Sequence, residues 1–168
     1  AVSETTWRFN LQKGVKFHNG EVFNADGVIA NLERMSDPNE PRASYSFDVF
    51  KEWRKTGEYQ FEITTVAPDP LLPARMKNFF IAPPSMLGNP KSDDFNRHPI
   101  GSGPFKFVEW IAADRIVLEA NEDYYLGAPA IKRLVFRAIP EASSRVSELL
   151  AGGVDVVTGL QPEFIDLV

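Results

Sequence analysis

The chain has 168 residues, a formal net charge of −5, no cysteine, 43% hydrophobic residues and 24% charged ones. This is enough for one domain, or two small ones, around a real core, with the composition of an ordinary globular chain. The charge leaves no basic field for a phosphate backbone, and the apolar runs fall far short of the roughly 20 residues that span a bilayer. Without cysteine there are no disulfides, thiolate metal sites or cysteine nucleophiles.

Taken in order, Thr5–Leu11 alternates Trp7, Phe9 and Leu11 against Thr6, Arg8 and Asn10, the pattern of a half-buried strand. A turn at Gln12-Lys13-Gly14 leads to a short strand, Val15–Phe17, and His18-Asn19-Gly20 turns again. Asn24 is placed to cap a helix through about Met35, whose Val28, Ile29, Leu32 and Met35 share one apolar face. Ser36–Arg42 is a break rich in proline, asparagine and aspartate. Ala43–Arg54 is aromatic-rich and reads as partly helical. Tyr59–Val66 alternates once more, with Tyr59, Phe61, Ile63 and Thr65 on one side. Leu71–Phe80 has helical spacing and Pro73 in its first turn. Ala82–Pro99, with four prolines, reads as a linker.

The stretch His98–Pro140 holds three strand-like runs, Phe105–Ile111, Arg115–Ala120 and Ile131–Ile139. Strict alternation puts Phe105, Phe107, Glu109 and Ile111 on one face of the first run, and Lys106, Val108 and Trp110 on the other. Ala112-Ala113-Asp114 suits a hairpin connection. The expected buried set is Phe105, Phe107, Ile116, Leu118, Leu134 and Phe136. Ala142–Ala151 then reads as a helix with Val146, Leu149 and Leu150 on one face, stopped by Gly152-Gly153. Val154–Thr158 reads as a short strand, and Pro162 can open another helix. Strands and helices mix without regular βαβ alternation, so the fold class is α/β with mixed-sheet α+β character.

Several motifs invite chemistry that their context refuses. Gly101-Ser102-Gly103 is followed by Pro104 and a strand, so it is neither a phosphate-binding loop nor a nucleophile elbow; a turn feeding the Phe105 strand is the reading. His18 and His98 are the only histidines, each in a polar turn and without a second ligand at helical spacing, which makes them surface residues rather than zinc ligands. The pairs Asp93-Asp94, Glu122-Asp123 and Glu163/Asp166 read as solvated loops rather than acid–base dyads. No cofactor and no metal site are expected.

The segment GSGPFKFVEW…DRIVLEANEDYYLGAPAIKRLVFRAIPEASSRVSELLAGGVDVV resembles the family 5 extracellular solute-binding proteins, the peptide-, nickel- and glutathione-binding receptors of bacterial ABC importers. The likeness resumes upstream at Trp7–Arg34, with QKGVKFHNG as a second strong patch. Gly27 departs from the pattern, where an acidic residue is usual. The resemblance implies part of a periplasmic-binding-protein type II-like fold. Residues 1–95 would form a small lobe-associated domain and residues 96–168 part of the first ligand-binding lobe, making the chain an internal piece of a receptor.

The resemblance also implies a non-enzymatic role: a solute-capturing component that holds oligopeptides or similar small solutes outside the cytoplasmic membrane. Its partner would be the membrane permease of the importer, and its place the periplasm or the cell exterior, with a lipid anchor in the full-length parent as an option. Arg42, Tyr45 and Phe47 lie where such receptors send residues toward the cleft, and Thr158, Gly159 and Leu160 lie near the crossing between lobes. Tyr124 and Tyr125 form a third group, better read as packing of their loop. Two rivals stand beside this reading. One is an enzyme on the same scaffold, for which no acid or nucleophile stands out. The other is a protein-interaction module or regulator, marked by a large exposed apolar patch. Uncovered sheet edges would favour self-association.

Overall fold

Asn24 starts the first long element. Its backbone is extended, with φ −146° and ψ −177°, and its Oδ1 accepts the Gly27 N–H at 3.1 Å. Helix α1 follows over Ala25–Ser36, with Asp26 in the first turn complementing the helix dipole. The computed structural model describes residues 1–37, 49–87 and 96–167. Val28, Leu32 and Met35 of α1 are buried and Ile29 is half-buried, as the spacing predicts. A methyl group on Gly27 would meet Pro84 Cγ at 3.6 Å, an ordinary contact. The cost of this glycine is therefore backbone freedom alone, about 1 kcal/mol.

The face of α1 packs on a three-stranded antiparallel sheet of order β1-β3-β2. Its strands are β1 (Thr6–Asn10), β2 (Phe50–Gly57) and β3 (Gln60–Thr65). Trp7 and Trp53 flank Ile63, and Phe9 lies opposite Phe61 with its ring stacked at 5.0 Å. Helix α2 (Leu72–Arg75), opened by Pro73, closes this core with Leu72 fully buried and runs into a 3-10 turn, Met76–Asn78. The expected strand at Val15–Phe17 is only a Lys16–Val22 bridge, although Val15 and Phe17 are buried.

The partly helical reading of Ala43–Arg54 is corrected by β2, which contains Phe50–Arg54; residues 43–48 lie outside the described residues. A register shift between Phe50 and Glu52 makes Lys51 an extra residue in the strand. Phe50 and Trp53, three apart, therefore share the core face, and the bulge mimics helical spacing.

The opposite face of this sheet is a polar ladder. Thr6 meets Thr64 at 3.3 Å, Gln60 donates to Asn10 at 2.8 Å, and Glu62 is set between Arg8 and Arg54. Arg8 reaches Glu62 Oε1 and Arg54 reaches Oε2, each at 2.7 Å, over a carboxylate side chain only 3% exposed. Hydrogen bonds from Arg54 and then Arg8 hold the Glu62 carboxyl below the usual carboxylate range. A depressed folded-state value contributes stability above the unfolded-state pKa and loses it as pH falls through the folded one. Glu62→Gln is accordingly expected to lower stability at neutral pH and to flatten the acid limb. Urea midpoints taken from neutral pH down through the unfolded-state carboxylate range check this, since the loss of stability begins there; a variant with the wild-type slope would show that Glu62 does not drive it.

Beyond the linker a second antiparallel sheet runs in order β4-β5-β6, with β4 Phe105–Ile111, β5 Arg115–Ala120 and β6 Arg133–Arg137. The three expected strands thus form one sheet, and residues 112–114 make the hairpin, with Ala113 at φ 60°. Helix α3 (Ala142–Leu150) is tied to this sheet by the Arg137–Glu148 ion pair at 2.6 Å. Arg137 shares its face with Val117 and Val135, so α3 lies on that side, where Val117 and Val146 are buried. The expected buried set belongs to the other face. There Phe105, Phe107, Leu118 and Leu134 are half-buried, but Ile116 is 38% and Phe136 57% exposed, which corrects their assignment. Leu150 is also exposed, at 60%.

Val154–Thr158 is irregular rather than a strand. A strand exists through its ladder, and no described strand offers this segment one. Pro162–Leu167 forms a 3-10 turn. Among the described residues no helix is long and apolar enough to cross a membrane.

Candidate functional site

Thr158, Gly159 and Leu160 follow α3, with Thr158 and Gly159 exposed and Leu160 half-buried. Gly159 has φ 66°, a left-handed conformation that a side chain would strain. The segment is held by Arg145, which sequence reasoning did not single out. Arg145 Nη1 donates to the carbonyls of Ile139 at 2.9 Å and Pro140 at 2.7 Å, while Nη2 donates to the Gly159 carbonyl at 3.4 Å. One guanidinium thus gathers the end of the β6 segment and the turn after α3 around three carbonyl oxygens. A signal for this was present: Arg145 is in the first turn of its helix, where a cation opposes the dipole and needs tertiary partners to offset the cost.

Beside this clamp a hollow of about 410 Å³ opens between Ile139 and the serine-bearing side of α3, with Ser143, Ser144 and Ser147 on its wall. Ile139 belongs to both features, since it lines the hollow and its carbonyl takes the Arg145 bond. Clamp and hollow together offer backbone carbonyls, serine hydroxyls, the Arg145 guanidinium and the Arg137–Glu148 ion pair on the wall. Groups of this kind can donate and accept hydrogen bonds to a polar solute.

Arg42, Tyr45 and Phe47 lie outside the described residues. Tyr124 and Tyr125 meet edge to face at 4.8 Å in the loop after β5; Tyr124 is half-buried and Tyr125 exposed. Burial, and then the Tyr125 hydroxyl, raise the Tyr124 pKa.

The two histidines have separate surroundings. His98 stands edge-on to Phe107 at 6.0 Å, and His18 bonds to Gly101 and Gly103. Among the described residues no three histidine, aspartate or glutamate side chains gather as a metal site would need. Of the acidic pairs, Glu122 is in an ion pair with Lys132 at 2.9 Å, while Asp93, Asp94 and the Asp166 side chain lie outside the described residues. A broader groove of about 790 Å³ follows β4 past Phe107 and Trp110.

The oligopeptide-binding protein AppA of Bacillus subtilis is 35% identical over 160 residues, covering 86% of this chain and 28% of that protein. Heme-binding protein A of Haemophilus influenzae is 31% identical over 186 residues, covering 96% of this chain and 34% of its own length. The chain therefore spans about a third of the length of the curated relatives it matches. Among solved structures, NikZ from Campylobacter jejuni in complex with Ni(L-His) superposes with a TM-score of 0.84 at 27% identity, covering 92% of this chain and 32% of that one. The architecture is that of part of a type II periplasmic binding protein. The family description "Bacterial extracellular solute-binding proteins, family 5 Middle" matches residues 2–168, and the chain belongs to that family.

Proposed function

We propose that this chain is part of the solute-capturing receptor of an ABC importer, working outside the cytoplasmic membrane on oligopeptides or similar small solutes. The family match over residues 2–168 carries this reading, and the similarity to an oligopeptide-binding protein favours peptide. Residues 1–95 would supply a small lobe-associated domain and residues 96–168 part of the first ligand-binding lobe. A solute is then held between two lobes that close on it, and the whole receptor delivers it to a membrane permease without chemical change. The exposed Thr158 and Gly159, beside half-buried Leu160 and held by Arg145, could offer main-chain groups to an extended peptide, because main-chain hydrogen bonds bind without demanding one side chain. Arg42, Tyr45 and Phe47 remain proposed contacts from the smaller domain.

A lobe taken by itself lacks the contacts that closure adds. Losing about 6 kcal/mol of them costs roughly four decades of affinity. Titrating the ¹⁵N-labelled chain with tri- to pentapeptides is expected to give fast-exchange shifts at residues 158–160, with a Kd weaker than about 100 μM. Sub-micromolar binding would overturn the one-lobe assignment. Shifts with nickel–histidine or heme, and none with peptides, would overturn the peptide reading and leave the receptor role standing.

A second reading has one observation in its favour. Trp110, Ile116 and Phe136 lie in cross-strand register on one face of the second sheet, 53%, 38% and 57% exposed. A protein-interaction module or regulator would use such a face, and so would self-association. Light scattering at rising concentration separates these readings: a chain that stays monomeric argues against self-association.

A further inference from the structure

Two turns far apart in the chain, His18-Asn19-Gly20 and Gly101-Ser102-Gly103, meet in the fold. The His18 N–H donates to the Gly101 carbonyl at 2.8 Å. The Gly101 N–H donates back to His18 Nδ1 at 3.3 Å, and His18 Nε2 lies 3.0 Å from the Gly103 carbonyl. The two glycines are 83 and 85 residues from the histidine. On one side of the contact is the hairpin that leads into α1 and the first sheet. On the other, Pro104 leads directly into β4 of the second sheet. The Gly103 carbonyl also accepts from Asn121 Nδ2 at 3.1 Å, and the Asn121 N–H donates to the Pro104 carbonyl at 2.8 Å. Asn121, 4% exposed, thereby fixes the turn to the end of β5. Among the described residues the strands of the two sheets make no extended packing with each other, so contacts of this kind bear on their relative placement.

The partners decide the state of the ring. A backbone N–H can only donate, so Nδ1 must present its lone pair to Gly101. A carbonyl can only accept, so Nε2 must carry the hydrogen toward Gly103. The neutral ring with its proton on Nε2 satisfies both bonds, whereas the other tautomer satisfies neither. We propose that His18 is a positioning residue that sets the placement of the second sheet against the first, held as the Nε2–H tautomer by Gly101 and Gly103.

Three measurements on the intact chain test this. Ring ¹⁵N–¹H correlation spectra of the wild-type protein at neutral pH should show His18 protonated at Nε2 and bare at Nδ1. His18→Phe keeps a ring of similar size but neither side-chain bond. It is expected to speed amide exchange at Gly101 by tenfold or more, while β3 and β5 keep their protection. Residual dipolar couplings of the two sheets should then no longer fit one alignment. His18→Gln, which retains an acceptor and a donor on neighbouring atoms, should fall nearer the wild type in both readouts. An Nδ1–H ring in the wild-type protein would overturn the proposal. So would His18→Phe with unchanged Gly101 exchange and one common alignment, or with both sheets losing protection together, which would mark His18 as part of one shared core.

Discussion

Leu32→Ala is expected to destabilise the chain by about 2–5 kcal/mol, the range for deleting a fully buried leucine side chain. Leu32 is 0% exposed and sits in the cluster of Val28, Phe61, Ile63 and Leu72, with Trp7, Phe50 and Trp53 packed around it. The neighbours come from two helices and three strands, each fixed by its own hydrogen bonds, so the site cannot collapse onto the smaller residue. The cavity term then adds to the lost transfer energy. Urea melts of the two proteins measure the difference. A change below about 0.5 kcal/mol, the scale of ordinary surface substitutions, would show that this face of α1 is not the core.

Asn31→Leu is the second large effect, and it tests hydrogen bonding rather than volume. Asn31 is 1% exposed; its Nδ2 donates to the Gly27 and Ala82 carbonyls, both at 2.8 Å, and its Oδ1 accepts the Ala82 N–H at 3.0 Å. The side chain thus pairs with both backbone groups of Ala82, fastening the start of the Pro-rich segment to α1. Leucine fills a similar volume but leaves the Ala82 N–H and C=O buried without these partners. At about 1–3 kcal/mol for each of these two abandoned groups, a total loss of about 2–6 kcal/mol is expected. Denaturant melts give the total, and amide exchange at Ala82 locates it. A loss under about 1 kcal/mol with Ala82 still protected would mean that the segment has another anchor.

Much of this fold was legible because most elements keep their local period. Asn24 announced a helix start, Val28, Leu32 and Met35 announced its buried side, and Phe61, Ile63 and Thr65 alternated cleanly in the central strand. Two misreadings came where a strand carries an extra residue. Lys51 in β2 puts Phe50 and Trp53 on one side, and Val108 in β4 does the same for Phe107 and Trp110. Spacing of three then looks helical in the first case, and strict alternation assigns Trp110 to the wrong face in the second. Asn31 stood on the helix in plain view, but no pattern announces a polar residue whose partner lies 51 residues away. The candidate site followed the same rule. Gly159 was named only through the resemblance, as a residue near the crossing between lobes, and its link to Arg145 depends on how α3 is placed in space. His18 and the Gly101–Gly103 turn were each read correctly as turns, and only the fold brings them together.

The extra residue at Val108 also bears on what the sheet can join. β4 is an outermost strand, and an outermost strand presents a row of N–H and C=O groups on which another chain can build. At Val108 that row loses its even spacing, so an incoming strand in regular register can pair with one half of β4 but not with both. The other outermost strand, β6, is only five residues long, which limits the ladder that a strand laid beside it can form. Among the described residues, a strand added to this sheet would meet uneven spacing at one rim and a short partner at the other.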